Sequence, residues 1–245
     1  MGKRNRGWAT CAFAFLPSIL GLLSLVGTAH GAPSPYPDMA PREQYLIADR
    51  TQEIALARSA AVPSISDNAG ILVLGQRGFE TAVKGTNGFV CLVERAWDKP
   101  FEDPEFWNPK MRGPDCLNAA AAGSVLPSYL ERAEWALSGL SKNEMEARSK
   151  TSAKASMPPA PGAMAFMLSK QQYLSDDGGQ WHPHVMFFSP HIALDAWGAN
   201  LNGSPVLGAN DSSPVTTFFI PVRKWSDGTL ADYPAPAGAG DHHRH

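Results

Sequence analysis

Residues 176–190, with the sequence DDGGQWHPHVMFFSP, combine a glycine turn, two histidines and an apolar run. If the segment after Gly179 is a strand, its side chains alternate between the two faces of a sheet. One face then carries His182, His184, Met186 and Phe188, and the other carries Trp181, Pro183, Val185 and Phe187. The two imidazoles would lie side by side. Because Pro183 cannot donate a hydrogen bond to a neighbouring strand, this piece is expected to be an edge strand or irregular chain.

Two histidines at i, i+2 on one strand are typical of metal ligands, since their imidazoles converge on one point and Zn and Cu both accept nitrogen. The predicted metal ligands are His182, His184 and His191. Asp176, Asp177, Glu94 and Met186 are alternative third or fourth ligands. The competing interpretation is that the two histidines of the strand only make hydrogen bonds near the mouth of a pocket.

Aromatic and methionine side chains around the histidines indicate a pocket for a small molecule. The predicted ligand-binding residues are His182, His184, Trp181, Met186 and Glu94. Glu94 is included because it follows Val90 and Leu92 on one face of a predicted strand, which places a carboxylate at the end of an apolar row. The leading functional hypothesis is a binding module. A metal-dependent enzyme that uses the same histidines is the alternative, and a protein-interaction module is a third class.

The two histidines are not equivalent. His184 lies deeper in the apolar run, so we expect it to be the more buried, with a pKa lowered by burial. A buried imidazole with one nitrogen on a backbone carbonyl and the other facing a cavity would be a ligand or a general base. An imidazole with both nitrogens bound to backbone would be structural.

The first 31 residues have the features of a secretion signal. Basic residues at positions 3, 4 and 6 precede an apolar run at 8–26 and a small-residue cleavage pattern at 29–31. Cleavage predicts an exported protein, periplasmic or extracellular, with no stable membrane insertion. A retained anchor is the alternative, although Pro17 interrupts the apolar run.

The charge argues against a nucleic-acid partner. The 245-residue chain has a formal net charge of −2, which becomes −5 once the first 31 residues, with three basic and no acidic side chains, are removed. Nucleic-acid binding requires a basic face that neutralises phosphates. The rest of the chain contains no basic cluster longer than a pair.

After export, Cys91 and Cys116 are the two remaining cysteines, in a compartment that favours disulfides. We therefore predict that they pair. The segment at 96–115 would then fold over the sheet with Phe101, Phe106 and Trp107 partly buried. Two buried free thiols are the alternative.

Apolar periodicity predicts a single α+β domain at 38–232, between an extended arm at 32–37 and a disordered, His-containing tail at 233–245. A helix at 38–61, capped by Asp38, precedes strands at 71–74, 79–84 and 89–95 that are expected to form a meander with a hairpin turn at Asn87 and Gly88. A helix from Leu126 and a second one with a capping box at its start precede strands at 163–168, 181–188, 205–207 and 215–222. The expected architecture is a mainly antiparallel sheet of about six strands packed with two or three helices.

Three segments carry a resemblance to known sequences: NGFVCLVERAW at 87–97, FWNPKMRGP at 106–114 and WHPHVMFF at 181–188. They resemble a family of uncharacterised secreted bacterial proteins, which implies the exported compartment and no particular activity. The order of elements is similar to that of PAS-like or Cache-like sensor domains. That similarity covers the order alone, since no ligand motif of those sensors is present.

Overall fold

The computed structural model describes residues 34–210 and 214–232, so the predicted signal at 1–31 and the tail at 233–245 lie outside the described residues. The strands are β1 Gly70–Leu74, β2 Phe79–Val83, β3 Val90–Glu94, β4 Gly113–Leu117, β5 Met164–Met167, β6 His184–Pro190, β7 Leu207–Asn210 and β8 Val215–Pro221. The helices are α1 Arg50–Arg58, α2 Pro63–Ser66, α3 Ala119–Ser124, α4 Leu126–Leu137 and α5 Lys142–Ser149. Within the described ranges, no helix is long and apolar enough to cross a membrane.

All eight strands belong to one sheet, in the order β2-β1-β3-β4-β5-β6-β8-β7. Every neighbouring pair is antiparallel except β1 and β3, which are parallel. The fold is therefore α+β with a mainly antiparallel sheet, as predicted, and it has eight strands rather than about six.

The predicted helix at 38–61 is wrong in its first half. Residues 42–44 form a single 3-10 turn, and α1 begins only at Arg50. Its cap is Asp49, not Asp38, because the Asp49 carboxylate accepts a hydrogen bond from the Thr51 backbone N–H at 2.8 Å. The helix is interrupted because Tyr45 is fully buried and its hydroxyl donates to the carbonyl of residue 107 at 2.8 Å. A tertiary contact overrides the helical spacing here.

The predicted meander is also wrong. The chain after β2 crosses the first residue of β1, and β3 then pairs with β1 in parallel. A Cβ atom on Gly85 would lie 2.1 Å from the backbone nitrogen of Gly70, so this close crossing requires glycine. Asn87 and Gly88 lie in this crossover and not in a hairpin turn.

The sheet buries both of its faces. Helix α1 packs on one face, where Ile71, Val73, Cys91 and Val93 form a cluster with Ala57. Helices α3 and α4 pack on the opposite face, which we call the α4 face, and its core contains Leu92, Leu117, Ala165, Met167 and Met186. The predicted helix from Leu126 is confirmed as α4, and the predicted capping box of Ser141 and Glu144 begins α5.

Strand β6 shows the predicted alternation, but not at an edge. His184, Met186 and Phe188 are buried on the α4 face, while Val185 and Phe187 are half-buried. The strand begins at His184, directly after Pro183, and lies between β5 and β8 inside the sheet. A turn at 177–178 closes only an isolated bridge between residues 175 and 179, and the antiparallel strands β5 and β6 are joined by a longer loop.

The predicted disulfide is confirmed. Cys91 and Cys116 stand directly opposite each other in β3 and β4, with an S–S distance of 2.02 Å. The chain between these strands folds back over the molecule and buries Phe101, Phe106 and Trp107 more completely than expected. The disulfide therefore closes a loop that contributes large aromatic side chains to the core.

Replacing both cysteines with alanine is expected to lower the free energy of unfolding by about 3 kcal/mol, because the bond closes a loop with a sequence separation of 25 residues. Urea unfolding of the double variant and of the unmodified protein measures the difference. Unmodified protein in reductant is the control and should match the double variant. Equal midpoints with and without reductant would contradict this expectation.

Candidate functional site

A cavity of about 640 Å³ lies between the α4 face of the sheet and helix α4. Its apolar wall is mostly aromatic and methionine side chains: Phe101, Met167, Trp181, Met186, Phe188 and Phe219. Its ionisable side chains include Glu94, Asp98, Arg132, His184 and His191. The cavity therefore combines an apolar wall with a small number of polar groups.

Four of the five residues predicted to bind a ligand, Glu94, Trp181, His184 and Met186, line this cavity. His182 does not. It lines a separate depression together with Lys170 and Trp225. Regular strand geometry begins only at His184, so the two imidazoles do not share a face.

His184 is buried, with 2% of its surface exposed, while His182 is partly exposed, as expected. The Nδ1 atom of His184 lies 2.8 Å from the backbone carbonyl oxygen of His182. A carbonyl only accepts, so Nδ1 carries the proton and the neutral ring has a bare lone pair on Nε2. The Nε2 atom has no hydrogen-bond partner among the residues that the structure describes.

Aromatic packing fixes the His184 ring at the cavity wall. The ring centroids of Trp181 and His184 are 4.6 Å apart in an edge-on arrangement. The ring centroid of Phe219, on the neighbouring strand β8, lies 5.9 Å from that of His184. Burial lowers the pKa of His184 to about 4. The imidazole is therefore uncharged at neutral pH and presents a hydrogen-bond acceptor.

The predicted metal site of His182, His184 and His191 is not assembled. His191 lines the cavity and His182 lies outside it. Across 34–210 and 214–232, no group of three or more His, Cys, Asp or Glu side chains could hold a metal ion.

Asp176, an alternative ligand, is held elsewhere on the surface. It accepts hydrogen bonds from the hydroxyls of Tyr36 at 2.6 Å and Tyr173 at 2.7 Å. Its ion pair with Lys110, at 2.7 Å, and these hydrogen bonds lower the pKa of Asp176. This carboxylate serves the docking of the N-terminal arm.

Three carboxyl groups meet at the cavity wall. Glu94 ends β3, Asp98 ends the 3-10 turn Ala96–Asp98, and Asp115 lies in β4. Glu94 and Asp98 line the cavity, while Asp115 is fully buried and contacts Glu94. Glu94 Oε1, Asp98 Oδ1 and both Asp115 oxygens are buried and receive no hydrogen bond from a donor in the described residues. We call Glu94, Asp98 and Asp115 the acid cluster.

Burial raises the pKa of every member of the acid cluster. It raises the pKa of Asp98 and of Asp115 to about 7, and that of Glu94 well above its usual range. The nearby charges of Asp115 and Asp98 raise the pKa of Glu94 further. The acid cluster therefore retains protons at a pH at which exposed carboxyl groups are ionised.

Helix α4 contributes two further polar groups to the site. Burial and the nearby carboxylates raise the pKa of Tyr129 well above its usual range, so its hydroxyl stays neutral. Arg132 Nη1 donates to the backbone oxygen of Asp98 at 3.0 Å, and its guanidinium lies 4.2 Å from the centre of the Phe101 ring. Its positive charge lowers the pKa of Glu94 and of Asp98 and offsets part of their burial.

Four further groups at the site were not predicted from the sequence: Asp98, Asp115, Tyr129 and Arg132. The aspartates lie in or beside a segment without helical or strand period, and their chain positions do not indicate burial. The one usable signal was the spacing of Tyr129 and Arg132, three residues apart on a well-predicted helix.

Comparison with protein-family models, with curated proteins and with solved structures gave no match. The function therefore has to be inferred from the geometry and chemistry of the cavity.

Proposed function

We propose that this protein is an exported binding module that holds a small molecule in the cavity on the α4 face. The observation that carries the proposal is an apolar cavity of about 640 Å³ with polar groups converging on it. This volume lies inside the range of roughly 300–1,000 Å³ that drug-sized ligands occupy in proteins. The disulfide between Cys91 and Cys116 supports a compartment outside the reducing cytoplasm.

His184 and the acid cluster support a specific site over an incidental gap in the core. Buried polar atoms are normally hydrogen-bonded, since each unsatisfied one costs roughly 1–3 kcal/mol. Here a histidine and several carboxyl oxygens lack donors around one cavity. A ligand that supplies those donors would recover part of this free energy.

Binding is tested with N-phenylnaphthylamine, a neutral apolar fluorophore, and the mature protein. We expect a saturable rise in fluorescence with one site per chain. Ser128 lies on α4 at the cavity wall, so Ser128→Phe should fill part of the cavity and weaken binding at least about tenfold, or about 1.4 kcal/mol.

Ser138→Phe is the matched control. Ser138 caps the same helix, is exposed, and, like Ser128, donates its hydroxyl to a carbonyl three residues earlier. It is not part of the cavity, so its variant should bind as the unmodified protein does. Absence of saturable binding, or equal weakening by both variants, would contradict the proposal.

Acid–base catalysis is a second candidate, favoured by Glu94 and Asp98, two carboxyl groups on the cavity wall whose pKa values are raised by burial. Such an enzyme would use Glu94 as a general acid and would need no metal for that step. Mass spectrometry of a natural ligand recovered after incubation separates the two functions. A binding module returns the ligand unchanged, whereas an enzyme returns a product.

A further inference from the structure

We infer that the ligand carries a protonated amine or similar cationic donor head, bound by Glu94 and Asp98, on a hydrophobic body that fills the cavity. This inference rests on the proposed binding function and specifies the class of ligand.

The first support is the imbalance of donors and acceptors. Glu94 and Asp98 offer carboxyl oxygens at the cavity wall, one buried oxygen of each without a donor. His184, on a different strand and 2% exposed, independently offers the bare Nε2 of a neutral ring. The unpartnered polar atoms of Glu94, Asp98 and His184 at this wall are therefore acceptors, and an ammonium group supplies three donors.

The second support is charge. The ionisable groups that face the cavity come from every element packed around it: Glu94, Asp98, Lys99, Tyr129, Arg132, Lys150, His184 and His191, with Asp115 beside Glu94. Lys99 is paired with Asp103 and Glu105 at 3.4 and 3.5 Å, and Lys150 with Glu146 at 2.7 Å.

The acid cluster has three carboxyl groups, and the cations that act on it are Arg132 and, at Asp98, Arg95, which is itself paired with Glu53. Their full ionisation would leave excess negative charge in an apolar environment, which is why protons remain bound. A bound cation would take the place of one such proton. A carboxylate or phosphate ligand would instead add negative charge to the same place.

The third support is the wall opposite these groups. Phe101, Phe188, Phe219, Met167 and Met186 provide apolar contact for the body of the ligand. An aromatic and methionine wall accommodates alkyl and ring systems alike. The cavity therefore matches an amphiphilic amine better than a sugar or a free amino acid.

The test uses a primary alkylamine, the alcohol and the carboxylic acid of the same chain length, each as a competitor for bound N-phenylnaphthylamine at neutral pH. We expect the amine to displace the fluorophore at a concentration at least about tenfold lower than the alcohol, with the carboxylic acid weakest. An amine no tighter than the alcohol would overturn the inference. Saturable fluorophore binding in the same experiment would still support the proposed function, so the two failures are distinguishable.

Glu94→Gln replaces an acceptor with an amide that also carries donors. It should abolish the preference for the amine, so that the amine displaces the fluorophore no better than the alcohol does. The matched control is Glu80→Gln, an exposed glutamate on β2 that pairs with Arg50 and does not line the cavity. Amine preference that survives in folded Glu94→Gln and Asp98→Asn variants would overturn the inference.

A measurement on the unmodified protein needs no variant. Isothermal titration calorimetry in two buffers of different ionisation enthalpy counts the protons exchanged on binding. We expect the amine to release about one proton per molecule bound, and the alcohol to release none. Amine binding without net proton release would show that the acid cluster does not receive the cation.

Discussion

Replacing Arg95 with methionine is expected to lower the free energy of unfolding by about 3–5 kcal/mol, because it leaves a charge buried without a partner. Arg95 is fully buried, and its Nη2 atom donates to Glu53 Oε1 at 2.8 Å. Its Nε atom donates to the backbone oxygen of Tyr45 at 2.7 Å. Glu53 is itself buried on α1, and the same oxygen accepts the backbone N–H of Leu74 at 3.1 Å.

This ion pair joins α1 to β1 and β3, so its loss affects the face of the sheet opposite the cavity. Guanidinium chloride unfolding measures the effect. The matched control is Arg50→Met, which breaks the exposed pair of Arg50 with Glu80. Exposed ion pairs contribute about 0–1 kcal/mol to the free energy of unfolding. A loss of similar size in both variants would contradict the large stabilising role that we assign to the buried pair of Arg95 with Glu53.

The second large effect is a dependence of stability on pH that Asp115 imposes. The folded-state pKa of Asp115 is about 7, raised by burial, whereas in the unfolded chain it should lie near 4. Between these values the folded state holds a proton that the unfolded state has released. The contribution of Asp115 to stability is therefore fully present below pH of about 4 and is lost as the pH rises through about 7.

Asp115→Asn removes the part of the pH dependence of stability that is due to Asp115. Relative to the unmodified protein, the variant should gain on the order of 4 kcal/mol between pH values of about 4 and 8, since one pKa unit corresponds to about 1.4 kcal/mol. Urea unfolding at several pH values gives both curves. The comparison with the unmodified protein is needed because other groups titrate in the same window.

His184 contributes with the opposite sign. Burial lowers its pKa to about 4 in the folded state, below the value of about 6.5 in the unfolded chain. Between these pH values the unfolded state binds more protons, so the contribution of His184 to stability rises with pH up to about 6.5.

Asp227→Asn is the control for the Asp115 variant. Its carboxylate is exposed, and hydrogen bonds from Thr229 lower its pKa to about 2. A variant of Asp115 that tracks the unmodified protein at every pH would show that this carboxyl group is not protonated in the folded state.

The acid cluster therefore lowers the stability of the folded protein at neutral pH. Apolar side chains at Glu94 and Asp115 would pack in the sheet without this cost. Carboxyl groups with strongly raised pKa values in an apolar cavity are common at functional sites. The same groups that reduce stability supply the acceptors on which the proposed ligand class depends.

Sequence patterns correctly predicted the elements that depend on interactions between residues close in the chain. The stripe from Leu126, the capping box at Ser141 and the alternation in β6 depend on spacing within one helix or strand, and all three are confirmed. The disulfide was predictable because Cys91 and Cys116 are the only cysteines after residue 31, so one pairing is possible between them. The helix at 38–61 failed because burial of Tyr45 overrides its helical spacing.

The candidate site was predictable only in part, for the same reason. Trp181, His184 and Met186 were found because they are neighbours in the sequence, and Glu94 because it extends an apolar row. His182 was misplaced because the start of β6 after Pro183 turns it away from His184.

The sequence by itself determined the fold class, the cross-link between Cys91 and Cys116 and the cavity-facing side of β6, since each follows from composition or from spacing inside one element. Only the tertiary structure decided that β3 pairs with β1, and that the register of β3 with β4 brings Glu94 to Asp115. The pKa of a carboxyl group depends on how much water and which charges surround it. Those surroundings come from residues distant in the chain, so the chemistry of the cavity exists only in the folded molecule.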